Sequence, residues 1–226
     1  MPADVNAPAA IKPEQIVAGE FFARAKGLFN LDVPNALHDL TAEAARGDLD
    51  LDPDMWARAG VVASRPAAVL VGIVDRPIPT VLLTQRTSDL SNHAGQIAFP
   101  GGKIDPHDDT PLAAAMREAE EEIGLDAKFI EPIGYLDLYL TFSGFRILPS
   151  LARISPDYTM TINEAEVADA FEVPLEFLMT PAHHARKSRE NRGVTRQYYE
   201  MPYEDRYIWG VTAGILRNLY ERIYLT

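Results

Sequence analysis

Phe99-Pro100-Gly101-Gly102-Lys103-Ile104-Asp105-Pro106-His107-Asp108-Asp109-Thr110-Pro111 runs directly into Leu112-Ala113-Ala114-Ala115-Met116-Arg117-Glu118-Ala119-Glu120-Glu121-Glu122-Ile123-Gly124-Leu125. The stretch reads as a glycine turn, an acidic loop and a helix. Thr110 suits the N-cap and Pro111 the first turn. Gly124 stands where a helix stops. The alanines favour the helix, and Leu112, Ala115, Met116, Ala119 and Ile123 recur at helical spacing, giving a face that packs on a core. The other side carries Glu118, Glu121 and Glu122, neighbours within one turn. Three carboxylates on one patch repel one another unless a divalent cation sits among them, and Mg²⁺ prefers such hard oxygen ligands. Glu120 points away from the patch and reads as solvated.

Composition bounds what the chain does. Its 226 residues suffice for one sizeable domain with an appendage. There is no cysteine, which removes disulfides, thiolate metal sites and thiol nucleophiles and fits a reducing compartment. The net charge of −12 argues against nucleic acid and anionic membrane as partners, so an anionic substrate needs a local basic patch or a metal ion. The longest apolar run, Ala67 to Val74, is too short to span a bilayer. Residues 1–10 lack the basic flank and apolar core of a signal peptide, and the final Tyr-Leu-Thr is no peroxisomal or retention address. A cytoplasmic protein is expected.

Working outward, residues 1–55 read as an N-terminal extension, disordered at first, then helical from Lys12 to about Phe29, packed on a main domain of residues 56–226. Ala67–Val74 reads as a buried strand and Thr80–Arg86 as its hairpin partner across a turn containing Pro77 and Pro79. Gln96–Pro100 is a short strand. Beyond the helix, Ile133–Thr141 reads as a strand with Leu136, Leu138 and Leu140 on one face. Arg146–Ile154 is its partner. Asn163–Ala170 reads as an acidic loop, followed by Val173-Pro174-Leu175 and a short helix to Met179. Residues 181–196 form a basic loop or hairpin arm. Arg196–Met201 and Tyr207–Gly210 read as strand ends, and Val211–Tyr224 as a closing helix. This order implies an α+β fold, a mixed β-sheet between helices.

Arg117-Glu118-Ala119-Glu120-Glu121-Glu122-Ile123-Gly124-Leu125 resembles the second half of the Nudix box, with every fixed position filled. Only Asp108 or Asp109 can take the place of the glutamate that precedes the arginine in that family. The distance from Gly102 to Arg117 is one residue longer than usual, as in the coenzyme A pyrophosphatase subfamily. Leu82-Leu83-Thr84-Gln85-Arg86 with Gly95-Gln96-Ile97-Ala98-Phe99-Pro100-Gly101-Gly102 resembles the element those enzymes carry just upstream. Thr87 stands there for Ser or Ala, and Ser91 for Arg. Ile208-Trp209-Gly210-Val211-Thr212-Ala213 is also similar. The resemblance spans roughly residues 65–215.

It implies a Nudix-like α/β/α sandwich and an enzyme that hydrolyses coenzyme A into 3′,5′-ADP and 4′-phosphopantetheine with Mg²⁺ or Mn²⁺. A divalent cation neutralises the diphosphate and acidifies water, which that reaction needs. Glu118 and Glu122 are the expected metal ligands, with Glu121 a third ligand or the base. The Gly102 carbonyl is a further metal contact. Arg117 orients a carboxylate. Arg86, His93, Gly101 and Lys103 are the expected substrate contacts; for Arg86 a salt bridge, and for His93 a polar surface role, are the alternatives. His183, His184, Arg186, Lys187, Arg189, Arg192 and Arg196 either receive a phosphate or form a solvated loop. Tyr198, Tyr199, Tyr203 and Trp209 either stack on adenine or belong to the core. Glu164 and Glu166 either lend a late carboxylate or are solvated. A homodimer is expected because relatives are often dimers. Two rivals remain: the same chemistry on ADP-ribose, a dinucleotide or a nucleoside triphosphate, and a Nudix-fold binding module without catalysis.

Overall fold

The computed structural model describes residues 18–31, 65–88, 95–141, 144–191 and 194–225. Two sheets are present among them. The larger contains β1 (Arg65–Val74), β2 (Thr80–Arg86), β3 (Ile97–Ala98), β4 (Gly101–Lys103), β5 (Ile130–Tyr135), β6 (Tyr139–Leu140), β7 (Phe145–Ile154) and β8 (Val167–Pro174). The smaller contains β9 (Ala185–Asn191), β10 (Val194–Tyr203) and β11 (Arg206–Trp209). The helices are α1 (Ala18–Leu28), α2 (Pro111–Ile123), α3 (Leu175–Met179) and α4 (Gly210–Tyr224).

β1 organises the large sheet. It pairs in parallel with β7 along its whole length, from Arg65–Phe145 to Val74–Ile154. Its other edge is divided. β2 holds it antiparallel at Ile73 and Val74, and β4 takes over at Ala67, Ala68 and Val69. The Leu70 N–H donates to the Pro100 carbonyl at 2.8 Å where the two partners part. This division brings the glycine turn beside the centre of the sheet. A strand buried on both faces must be apolar throughout, which is why Ala67–Val74 shows no polar alternation.

Alternate residues of β1 feed two cores. Ala68, Leu70 and Val74 pack with Ala114, Ala115, Ala119 and Ile123 of α2. Val71 and Ile73 pack with α1, α3 and α4 on the other face. The molecule is therefore an α+β structure with a mixed sheet between helices, as the sequence implies. Each fully buried aliphatic side chain here contributes roughly 1.5–3 kcal/mol.

Two expectations need correction. Ile133–Thr141 is not one strand: β5 ends at Tyr135 and β6 begins at Tyr139. A bulge separates Pro132 from Gly134 in the pairing with β7, and Leu136 donates to the carbonyl of Pro149 between the two paired stretches. Of the three leucines on the expected face only Leu136 is buried. The acidic segment from Val167 is not loop but strand β8, antiparallel to β2 across seven register positions. Its Glu172 is accommodated by Arg76, which donates twice at 2.6 Å, by Tyr158 at 2.8 Å and by the Thr80 hydroxyl. Burial alone would raise the Glu172 pKa; these donors outweigh it and hold the carboxyl below its ordinary value. The basic segment takes the hairpin alternative: Ala185–Asn191 and Val194–Tyr203 pair antiparallel as β9 and β10. Within the expected helix of residues 12–29, α1 accounts for Ala18–Leu28; residues 12–17 and the readings for 1–10 and 32–55 lie outside the described residues. Among the described residues no helix is long and apolar enough to cross a membrane.

Candidate active site

α2 begins and ends where its residues dictate. The Thr110 hydroxyl accepts from the Ala113 N–H at 3.0 Å, a cap worth about 1 kcal/mol. Gly124 adopts φ 67°, and its N–H and that of Leu125 close on the Glu120 and Ala119 carbonyls. The next carbonyls are used as well. Ile123 accepts from the Thr161 N–H at 2.8 Å and Glu122 from the Asn163 N–H at 2.9 Å. Those bonds lay the turn before β8 against the end of the helix.

The buried face of α2 differs from the expected one. Pro111, Ala114, Ala115, Ala119, Glu122 and Ile123 are buried, whereas Leu112 and Met116 are only half-buried. The stripe is rotated so that Glu122 stands in the helix–sheet seam with 5% of its side chain exposed. Its Oε2 accepts from the Gly101 N–H at 3.3 Å, and its Oε1 lies 3.8 Å from an Arg86 guanidinium nitrogen. Burial pushes the Glu122 carboxyl up to about 7, against the pull of Gly101 and Arg86 and with the push of Glu118 and Glu166.

Glu118 is one turn earlier, with 17% of its side chain exposed. Burial raises its pKa; Arg117 opposes the shift, and Glu121 and Glu166 add to it. A Cβ on Gly102 would stand 2.4 Å from the Glu118 carboxylate, so the missing side chain is what lets that carboxylate lie against the turn. Glu121 is 57% exposed. Arg117 gathers the group. Its Nε and Nη2 donate to the two Asp108 oxygens at 3.0 Å each. Its Nη1 donates to Glu118 and Glu121 at 3.1 Å each, and its Nη2 also to the Lys103 carbonyl at 3.2 Å. The Arg117 fork holds the Asp108 carboxyl below the usual carboxylate range. Asp108 also accepts from the Asp105 N–H at 2.8 Å, so it fixes the acidic loop to the helix.

The structure thus brings together Glu118, Glu121, Glu122, Arg117, Gly101, Gly102 and Arg86. Lys103 enters through its carbonyl, while its side chain is exposed. His93 lies outside the described residues, as does Ser91. Two contributors carry weaker signals in the sequence. Asp108 is visible there only as a shortened substitute for the expected glutamate. Glu166 follows a turn held by Asn163, and its carbonyl accepts from the Thr87 N–H at 3.1 Å, next to Arg86.

The donor set suits a hard cation: carboxylate oxygens one turn apart, with a bare glycine backbone beside them. Among the described residues no three acidic or histidine side chains converge on a single point, since Arg117 draws Glu118 and Glu121 to itself.

Residues 63–197 match the NUDIX domain family model, more than half of the chain. The chain belongs to the Nudix family. A Nudix hydrolase called NudL and described as uncharacterized, from Yersinia enterocolitica, is 41% identical over 160 residues, covering 71% of this chain and 82% of that one. Its counterpart in Yersinia pestis is 38% identical over the same length. Among solved structures, DR0079 of Deinococcus radiodurans superposes with a TM-score of 0.48 at 15% identity, covering 76% of this chain and 90% of that chain. A MutT/nudix family protein of Enterococcus faecalis gives 0.47 at 14%, covering 80% and 73%. At that overlap they add nothing to the family match. The chain is thus a Nudix hydrolase acting on a substrate that contains a pyrophosphate, and enzymes of this family generally use divalent metal ions.

Arg117 is a positioning residue on this geometry. Arg117→Ala should lower turnover about 10–100-fold, the usual cost of removing a group that orients ligands. Arg117→Lys should recover little, because an ammonium cannot match the Asp108 fork while reaching Glu118 and Glu121. Steady-state kinetics combined with limited proteolysis of residues 104–110 checks both. Unchanged kinetics with a loosened loop would reduce Arg117 to a structural role.

Proposed function

We propose that this Nudix enzyme hydrolyses the diphosphate of coenzyme A or its derivatives, releasing 3′,5′-ADP and 4′-phosphopantetheine or its acyl form. The observation that supports this most is the docking of the upstream element onto the box. Arg86 and Gly101, both from the segment resembling coenzyme A pyrophosphatases, meet at the Glu122 carboxylate. The residues that would specify substrate therefore touch the residues that would perform the chemistry.

In this reading Glu118 and Glu122, with the Gly102 carbonyl, hold Mg²⁺ or Mn²⁺. A divalent cation there supplies charge neutralisation to the diphosphate and acidity to water. Water attacks one phosphorus, the bridging P–O bond breaks, and the departing phosphate keeps the electron pair. Glu121, exposed and steered by Arg117, takes the proton of the attacking water. Arg86 faces the diphosphate from the β2 end, and Gly101 and Lys103 present turn backbone to it. A cytoplasmic protein belongs to the same reading and accords with an acidic, cysteine-free chain.

The substitution of Ser91 for the arginine usual in that subfamily keeps a second substrate reading alive, ADP-ribose or a dinucleotide. A substrate panel with Mg²⁺ and Mn²⁺, resolved by chromatography, separates the two. Coenzyme A should yield 3′,5′-ADP faster than ADP-ribose yields AMP. Turnover of another nucleotide with none of coenzyme A would sink the proposal.

A further inference from the structure

Arg86 owes its place beside the carboxylates to an irregularity in the large sheet. β2 and β8 run antiparallel, and residues directly opposite in such a pair share a face. Leu83 with Phe171, and Gln85 with Asp169, face the core built by α1, α3 and α4. Thr84 with Ala170, and Arg86 with Val167, face the core under α2. Val167 and Asp169 are two residues apart, so an unbroken strand would turn both to the same face. They face opposite ways because the register shifts between Gln85 and Arg86, which leaves Ala168 opposite no residue of β2. An extra residue of this kind bends the strand and re-aims the side chains beside it. The side chain at this shift is that of Arg86, 3.8 Å from Glu122.

Two interactions keep the extra residue at this point. One is burial: Val167 is 1% exposed and belongs on the α2 side. The other is Arg206, which belongs to the small sheet. Its Nη1 donates to the Gln85 side-chain oxygen at 2.9 Å and its Nη2 to the Asp169 carboxylate at 2.6 Å. Its guanidinium lies over the Phe171 ring at 4.3 Å, and its Nε stands 3.6 Å from the exposed Asp205 carboxylate. One planar fork thus spans both strands at the last regular pair before the shift. An ammonium, a point charge, has no such fork.

The turn that delivers Arg206 is strained. Tyr203 and Arg206 pair across two residues, and Glu204 between them adopts φ 52°, a left-handed conformation uncommon outside glycine. Such strain persists only where the surroundings over-determine it, and it gathers near functional sites. A plain tether between the two sheets would need one bond to either strand. Arg206 instead holds β2 and β8 to each other, at the pair next to Arg86.

We propose that Arg206 is a positioning residue for the reaction. By clamping Gln85 to Asp169 it fixes the register shift, and the shift aims Arg86 at the carboxylates. The inference rests on the reading of Arg86 as a contact of the substrate diphosphate.

Arg206→Met keeps an apolar stem over Phe171 and removes the fork. It should raise KM about tenfold, the value of one charge-assisted contact, with kcat little changed. The substrate is coenzyme A, or ADP-ribose if the substrate panel favours it. Asp169→Leu, which removes the other end of the clamp, should do the same. Arg206→Met combined with Arg86→Met should be no worse than Arg86→Met alone, because the clamp then has nothing to position. Hydrogen exchange followed by NMR in metal-free buffer gives a readout apart from turnover. The Arg86 N–H is held by the Gln96 carbonyl at 3.0 Å and the Thr87 N–H by the Glu166 carbonyl at 3.1 Å. Both amides should exchange about tenfold faster or more in Arg206→Met, while those of α2 keep the parent's rates. Amides at 86 and 87 as protected as in the parent, protection lost evenly over the whole fold, or effects of Arg206→Met and Arg86→Met that simply add would each overturn the proposal. Faster exchange at those two amides, with KM unmoved by Arg86→Met, would instead sink the reading of Arg86 as a substrate contact and leave the clamp standing.

Discussion

Glu122→Gln should give a folded protein with turnover of diphosphate substrates reduced by well over a hundredfold, beyond the cost of losing an outer-sphere group. The expectation comes from where the carboxylate lies. A buried acid in the helix–sheet seam, met among the described residues by one backbone N–H, that of Gly101, and by Arg86 at 3.8 Å, is poorly placed to serve stability. Its pKa is raised from 4.5 to about 7, so the folded state holds the proton more tightly than the unfolded state does. Stability from this group is present below pH 4.5 and is lost as the pH rises through about 7. The amide has no such loss. In metal-free buffer Glu122→Gln should therefore match the parent at low pH and exceed it above neutrality by up to about 3 kcal/mol. Thermal melts from pH 4 to 8 on both proteins check the sign. A cation needs the ionised form, so Mn²⁺ affinity of the parent should climb over the same range. A variant that melts earlier than the parent at pH 8, or that keeps near-normal turnover, would take Glu122 out of the proposed metal site.

Gly102→Ala and Gly101→Ala should part company despite being adjacent. At Gly102 the atoms nearest the added methyl are those of the Glu118 carboxylate, the far end of a flexible side chain. Glu118 swings aside at about 0.5–1.5 kcal/mol, and the fold survives. Turnover should fall on the order of a hundredfold, since catalytic groups displaced by an ångström lose that much. At Gly101 the methyl meets the Ala68 carbonyl at 2.4 Å and the Val69 Cα at 2.6 Å, backbone of the central strand, with φ at 153°. Nothing there yields, and about 2–4 kcal/mol of stability should be lost. Melting curves and turnover measured together distinguish the pair. Equal melting temperatures would show that β4 can shift off β1.

Residues with a strong local preference made α2 legible in advance: Thr110, Pro111 and Gly124 fixed its ends to the residue. β1 and β2 were legible through sustained apolar runs. β8 was not, because Asp169 and Glu172 hide its alternation, and their partners Arg206 and Arg76 are distant in sequence. The split between β5 and β6 was invisible for a similar reason, since it arises in the pairing with β7, where Leu136 bonds the Pro149 carbonyl and the ladder resumes only at Tyr139. At the candidate site, helical spacing found all three glutamates but not the rotation that buries Glu122. The rotation puts Ala114 in place of Met116 in the seam with β1, a property of the packed sheet and not of the helix. The Arg117–Asp108 link leaves no mark in the sequence, because the loop between them has no periodicity.

Phe21, Phe22, Ala25 and Phe29 belong to the same core as Val71, Met201 and Leu216. The backbone of Phe29 and Asn30 lies so close over Gly134 that a Cβ there would stand 2.6–2.7 Å from it. The family match, residues 63–197, excludes α1 at one end and β11 and α4 at the other. A fragment cut at the family limits would keep the whole box and lose α1 and α4, two of the three helices on one side of the sandwich. The recognisable segment and the folding unit have different borders in this protein. The second is the one to respect when shortening it, swapping parts with a relative, or grafting its carboxylate helix elsewhere.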